Sequence, residues 1–307
     1  MPVSIRRRDF ATLLGASLIA GSLPGCGRTA ITPPPFDHAP SFGEAVSTIR
    51  AAIARDAADP TILPAALPRL YEHGKPAAHA VVLFHGFTNC PQQFDELARG
   101  YHARGANVYV PRIPRHGLKD RLTRDLTDLS IAEIERCSKD AFDLARALGT
   151  TVSAVGLSLG GSMVLWLAQT QPIDLALSIA PFLMPVAPGP RGIRIPSFIG
   201  NPAMGLLHTL PSMYWWWDLR IKEHSKPDYA YPGYPTHALA EMVFFGDAII
   251  ADASDTKPRG RRCILLLNEY DNAVDNGVAR KLLSLWNRHG AGYRELILSD
   301  LGGARHD

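Results

Sequence analysis

Cysteine is scarce, with four residues in 307: Cys26, Cys90, Cys137 and Cys263. Their spacing fits no metal-ligand pattern and no compact disulfide framework, so buried free thiols are expected. Charge of one sign is scarce as well. The net charge is only +3, and Lys and Arg are scattered. Ordinary solvated charge accounts for that, which argues against a nucleic-acid or polyanion partner. Glycines such as Gly100 and Gly105 lack the strand–loop–helix phosphate pattern, so nothing points to a nucleotide or flavin. No metal and no cofactor is expected, and no internal repeat is found.

What is present is the composition of a globular chain, 46% hydrophobic and 20% charged. That is ample for a sizeable core. The 25 prolines gather mostly in residues 33–76 and 181–235, which read as irregular. Residues 1–26 read as an export signal: the basic cluster Arg6-Arg7-Arg8, a short apolar stretch, then a small-residue exit. The stretch is too short for a comfortable membrane span. Arg7-Arg8-Asp9-Phe10 resembles a twin-arginine signal. Leu23-Pro24-Gly25-Cys26 resembles a bacterial lipobox, in which the cysteine is lipidated and anchors the protein to a membrane; Pro24 is unusual there. A periplasmic or cell-envelope location follows as the expectation.

Residues 27–75 hold a tether and then a helix, which Ser41 can cap, since Phe42, Ala45, Val46, Ile49 and Ile53 recur at helical spacing. Strands are predicted at 80–85, 107–111, 151–157, 175–180, 263–268 and 293–298. Helices are predicted at 92–104, 130–148, 159–169 and 276–289. This alternation predicts an α/β fold, a mostly parallel sheet with helices on both faces. Residues 76–181 and 258–307 form its two parts. Between them, 182–257 breaks the rhythm with segments such as PFLMPVAPGP, MYWWWD and YAYPGYP. It is too long for a plain loop and is expected to lie on top of the sheet as a cap.

The chemistry gathers at the ends of the strands. Gly156-Leu157-Ser158-Leu159-Gly160 lies between a predicted strand and a predicted helix, the setting a nucleophile elbow requires. The turn lifts the Ser158 hydroxyl to the sheet edge and sets it at a helix N-terminus, which favours developing negative charge. A serine needs a base. His306 hangs in a loop past the last strand. His289 reads as a helix-terminal residue, and His116, in PRHGL, as a pocket residue. The base needs an orienting carboxylate. Asp271 is the first aspartate past the strand CILLLN, with Asp275 and Glu269 as alternatives, because such acids also form turns and caps. His85-Gly86-Phe87 follows the first strong strand. There the N–H groups of Phe87 and Leu159 are the expected oxyanion donors. On the substrate side the candidates are His85, Gly86, His116, Trp215 and Trp216, although His85 reads better as a prop for its loop. Tyr214 and Trp217 can line the same pocket, or all four aromatics can be the cap's own core.

HGFTNCPQQF, PRIPRHG, VGLSLGGSM, NEYDNAVDN and the terminal RHD resemble an α/β-hydrolase of the serine carboxylesterase and monoacylglycerol-lipase kind. The likeness runs from about residue 70 to the end. It implies hydrolysis of small-molecule carboxylic esters through an acyl-enzyme on a Ser158–His306–Asp271 triad. Acyl transfer or peptide hydrolysis on the same triad is the alternative, as is a non-catalytic envelope protein that keeps the fold. Members usually continue past the histidine with a final helix, and RHD ends at Asp307, so that helix is expected to be missing.

Overall fold

The computed structural model describes residues 39–187, 193–194, 204–216 and 227–298. The signal with Cys26, Trp217 and His306 lie outside the described residues.

The first described element is helix α1 (Phe42–Ala58). Ser41 Oγ accepts the Glu44 N–H at 3.3 Å, and the Glu44 carboxylate takes the Ser41 N–H at 2.7 Å. This reciprocal cap satisfies two amides that would otherwise lack partners. Then come β1 (Arg69–Tyr71), β2 (Ala77–Phe84), α2 (Asp95–Ala103) and β3 (Asn107–Val110). Next are α3 (Ile131–Leu148), β4 (Gly149–Leu157), α4 (Leu159–Thr170) and β5 (Leu175–Ile179). Two short ribbons follow, β6 (Val186–Ala187) with β7 (Ile193–Arg194), and β8 (Tyr214–Trp216) with β9 (Gly233–Pro235). The chain then adds α5 (Thr236–Asp255), β10 (Cys263–Asn268), α6 (Asn276–Arg288) and β11 (Arg294–Leu298).

The sheet runs β1-β3-β2-β4-β5-β10-β11. Every pairing is parallel except β1 with β3. Strand β2 ends in a continuous apolar run, Ala80–Phe84, because both of its faces are covered. On one face Val82, Phe84, Ala154 and Ala176 join the cluster built with α1, α3, α4, α5 and α6. On the other, Val81, Leu83 and Val155 meet Phe94, just before α2, and Ala98 of α2. Trp166 of α4 and Trp286 of α6 are fully buried. The Trp286 indole N–H donates to Gln169 Oε1, which ties α6 to α4.

Two expectations need correction. Residues 182–257 do not all lie on top of the sheet. Helix α5 packs against α3, α4 and α6, and its Phe245, Ile249 and Ala253 belong to the main core. It is the crossover between the parallel neighbours β5 and β10, so the cap expectation fails for Thr236–Asp255. Secondly, the helix expected from residue 92 is two elements, a 3-10 turn over Pro91–Phe94 and then α2. Cys90, Cys137 and Cys263 are unpaired thiols. Burial pushes the Cys90 thiol up to about 11 and that of Cys137 up to about 12. No helix among the described residues is long and apolar enough to cross a membrane.

Candidate active site

Ser158 sits between β4 and α4 with φ +56° and ψ −113°. A non-glycine residue held there costs on the order of 1–3 kcal/mol, so its surroundings must over-determine it. They do. The Ser158 N–H donates to Ile179 O at 2.9 Å, and the Ser158 carbonyl accepts from Ser162 N at 3.0 Å and Phe182 N at 3.1 Å. Ser162 Oγ bonds Phe182 O at 2.5 Å. The elbow is thus pinned to the end of β5, and Ser158 is 6% exposed.

Two glycines make the turn possible by close approach. A Cβ on Gly156 would lie 2.1 Å from Gly160 O. A Cβ on Gly160 would lie 2.0 Å from Phe84 O and 2.7 Å from His85 O. The first turn of α4 therefore touches the end of β2 backbone to backbone. That contact brings the segment carrying Leu159 against the segment that leads into Phe87. The N-terminus of α4 adds its partial positive charge at the same spot.

The loop after β2 is firmly held. His85 is fully buried; its Nδ1–H donates to Gly86 O at 2.9 Å, and its Nε2 accepts the Ile113 N–H at 3.1 Å. A neutral imidazole satisfies both bonds. Burial, then the neighbouring His116, holds its pKa well below the ordinary histidine value. His85 thus ties the Gly86 peptide to Ile113 in the loop after β3. The Phe87 ring packs against His116 at 5.7 Å and Tyr234 at 5.3 Å between centroids. Thr88, with φ +63°, accepts the Tyr231 N–H at 2.8 Å.

His116 lies in the loop after β3, fully buried beside His85, Phe87 and Tyr231. Its Nδ1–H donates to Pro114 O at 2.8 Å. Its Nε2 is buried and makes no hydrogen bond among the described residues. Burial pushes its pKa down to about 4. Arg112 steadies the loop, bonding Asp56 at 2.8 Å and the His116 carbonyl at 3.1 Å.

The three acid candidates separate. Glu269 is exposed. Asp275 is buried and caps α6, its Oδ1 accepting the Gly277 N–H at 2.8 Å. Asp271 sits in the turn after β10, where its Oδ1 accepts from Ala273 N at 2.9 Å and Val274 N at 3.0 Å. His289 is the C-terminal cap of α6. The aromatics separate too. Trp215 pairs with Tyr234 across the β8–β9 ribbon, which puts it on the Phe87 side, and it is 45% exposed. Trp216 lies on the opposite face against Tyr214, with ring centroids 5.1 Å apart.

One residue of this region lies within HGFTNCPQQF but has no role legible in the sequence. Gln93 Oε1 accepts the Gly86 N–H at 2.8 Å. A long amide a few residues beyond a glycine turn is the only hint in the sequence.

Residues 81–299 match the family model described as the alpha/beta hydrolase family. A pyrethroid hydrolase from Sphingobium wenxiniae is 32% identical over 133 residues, covering 42% of this chain and 44% of that protein. A thermostable monoacylglycerol lipase from a Bacillus species is 31% identical over 93 residues, covering 30% and 36%. The matched stretch thus spans less than half the length of either relative. Among solved structures, a Paleococcus ferrophilus monoacylglycerol lipase aligns with a TM-score of 0.58 at 18% identity, covering 78% of this chain and 90% of that one. A metagenome-derived lipolytic enzyme aligns at 0.56 and 20% identity, covering 77% and 88%. At such identities these structures show the shared fold.

Proposed function

The chain belongs to the alpha/beta hydrolase family, and on that premise we propose that it cleaves carboxylic esters through a serine acyl-enzyme. The observation that carries the reading is Ser158, held at positive φ on the turn between β4 and α4. In this mechanism Ser158 Oγ attacks the ester carbonyl and His306 takes its proton. The Phe87 and Leu159 N–H groups receive the oxyanion, each worth on the order of a hundredfold in rate. Asp271 orients the imidazole and stabilises its charged form. His306 then protonates the leaving alcohol, and water hydrolyses the acyl-enzyme with His306 as base. The contact between Gly160 and the end of β2 supports the oxyanion assignment. The cap position of Asp275 favours Asp271 as the orienting acid.

The curated relatives carry the names pyrethroid hydrolase and monoacylglycerol lipase. Together with the half-exposed Trp215, they support an apolar ester as substrate. The signal-like residues 1–26 support export to the periplasm or cell envelope, with Cys26 as the point of lipid attachment. The test is hydrolysis of p-nitrophenyl esters from acetyl to palmitoyl by the full chain, with Ser158→Ala as control and fluorophosphonate labelling read by mass spectrometry. Turnover and a label at Ser158, both lost in Ser158→Ala, are expected. Turnover that survives Ser158→Ala refutes the acyl-enzyme. A folded chain that neither turns over nor labels points to a scaffold.

A further inference from the structure

We infer that Gln93 is a positioning residue of the oxyanion hole: by holding the Gly86 N–H, its side-chain carbonyl fixes the direction of the Phe87 N–H. The inference rests on the serine-hydrolase reading above.

Phe87 N–H and Gly86 C=O belong to one peptide unit. In a trans peptide they point in opposite directions. The Gly86 carbonyl accepts from His85 Nδ1 at 2.9 Å and from Asn89 N at 3.1 Å. The Phe87 N–H therefore points away from both. That orientation holds only while Gly86 keeps its backbone angles, and glycine has the softest angles of any residue. The peptide on its other side must be fixed as well. Gln93 does this, accepting the Gly86 N–H at 2.8 Å. Its Oε1 also lies 3.5 Å from where a Gly86 Cβ would be, so the amide covers the open side of the glycine. The two flanking peptides are clamped from different directions, which leaves the glycine no free rotation.

Gln93 itself stands on a fixed base. It lies in the 3-10 turn Pro91–Phe94, whose Pro91 and Phe94 are buried. Its N–H bonds Cys90 O at 3.0 Å. The neighbouring Gln92 accepts from Arg69 at 2.5 Å. Arg69 also pairs with buried Asp95 at 2.9 Å, and Tyr71 donates to the same carboxylate at 2.5 Å. The turn is thereby tied to β1, at the edge of the sheet. A neutral amide also suits the task chemically. A carboxylate could accept the same bond, but it would set a negative charge close behind a developing oxyanion.

The test compares the full chain with Gln93→Met, which keeps the length and removes the acceptor, and Gln93→Asn, which withdraws the acceptor by one methylene, about 1.5 Å. The readouts are kcat and KM on p-nitrophenyl butyrate, the inhibition constant of a trifluoromethyl ketone, and the thermal midpoint. The ketone forms a hemiketal on Ser158 and so probes the oxyanion donors directly. For Gln93→Met, kcat is expected to fall roughly ten- to a hundredfold with KM within about twofold, and ketone affinity to fall by the same factor as kcat. Gln93→Asn falls between that variant and the parent, and carries the test alone if Gln93→Met does not fold. Folded variants with parental kcat and ketone affinity overturn the inference. So does a lower thermal midpoint with kcat per folded molecule intact, which is a merely structural role. A parent that hydrolyses and labels at Ser158 beside unaffected variants refutes this inference alone. A parent that does neither refutes both readings.

Discussion

Adding one methyl group at Gly160 tests the close contact at the heart of the site. The new Cβ would lie 2.0 Å from Phe84 O and 2.7 Å from His85 O. Carbon–oxygen contacts normally begin near 3.3 Å, so α4 and the end of β2 must part by about 1.3 Å. The obstructing atoms are backbone, so no side chain can swing aside. Leu159 precedes this residue and Phe87 follows His85, so the two proposed donors move apart with their segments. Oxyanion donors act at about 2.7–3.1 Å. A gap of an ångström or more should lower kcat by roughly a hundredfold. Overpacking should cost about 1–3 kcal/mol and lower the thermal midpoint by roughly 2–12 °C. The assay is p-nitrophenyl ester turnover per folded molecule for Gly160→Ala, beside a thermal melt by circular dichroism. Gly43→Ala is the control: in α1 its Cβ meets nothing within 4 Å, so it should add about 0.5–1 kcal/mol and leave kcat alone. A Gly160→Ala protein with parental midpoint and turnover would refute the close approach. One that is less stable but equally active per folded molecule would refute its role in the hole.

Two further outcomes follow from the buried groups. His116 is neutral when folded, with its pKa pushed down to about 4, whereas an unfolded histidine takes its proton near 6.5. Its contribution is therefore complete above about pH 6.5 and fades as the pH falls toward 4, on the order of 3 kcal/mol. Urea unfolding across that window should show a flatter pH dependence for His116→Gln; equal slopes would sink the assignment. For the acids, Asp275→Asn keeps a helix cap and should leave kcat unchanged. Asp271→Asn should lower kcat by about 10⁴-fold if it orients the base. The reverse result in stopped-flow or steady-state turnover would move the orienting role to Asp275.

Elements whose residues follow a repeat were legible in the sequence, and those decided by a neighbour were not. Ser41 and Ser130 announce α1 and α3, each with a glutamate three residues on, and both form capping boxes. Strand β10 falls on the predicted Cys263–Asn268 because five apolar residues precede a turn. Helix α5 was hidden. Wedged among α3, α4 and α6, it is apolar on several sides and shows no single stripe. Strand β1 is three residues long, too short for any alternation to register. At the site, the strand–serine–helix setting foretold the elbow, and Asp271 and Asp275 both lie where acids were sought. Their difference, a helix cap against a turn, depends on which amides each carboxylate meets. The Gln93–Gly86 bond was invisible because nothing in a glutamine codon position tells which backbone amide it will reach.

The crossover β5–α5–β10 has an evolutionary consequence. Between β5 and α5, Phe182 holds the elbow and Tyr231 the Thr88 loop, whereas the stretch 204–216 exposes Leu206, Leu210 and Met213. Closing a longer loop there costs little, about 0.6 kcal/mol for each doubling of its length. The segment is therefore an exchangeable cassette. Lineages can recombine, extend or shorten it and so change which molecules reach Ser158, while strand register and elbow are inherited intact. Directed diversification should randomise 204–216 and leave Phe182, Tyr231 and α5 untouched, since mutations there disturb the elbow, its neighbouring loop or the core rather than the choice of substrate.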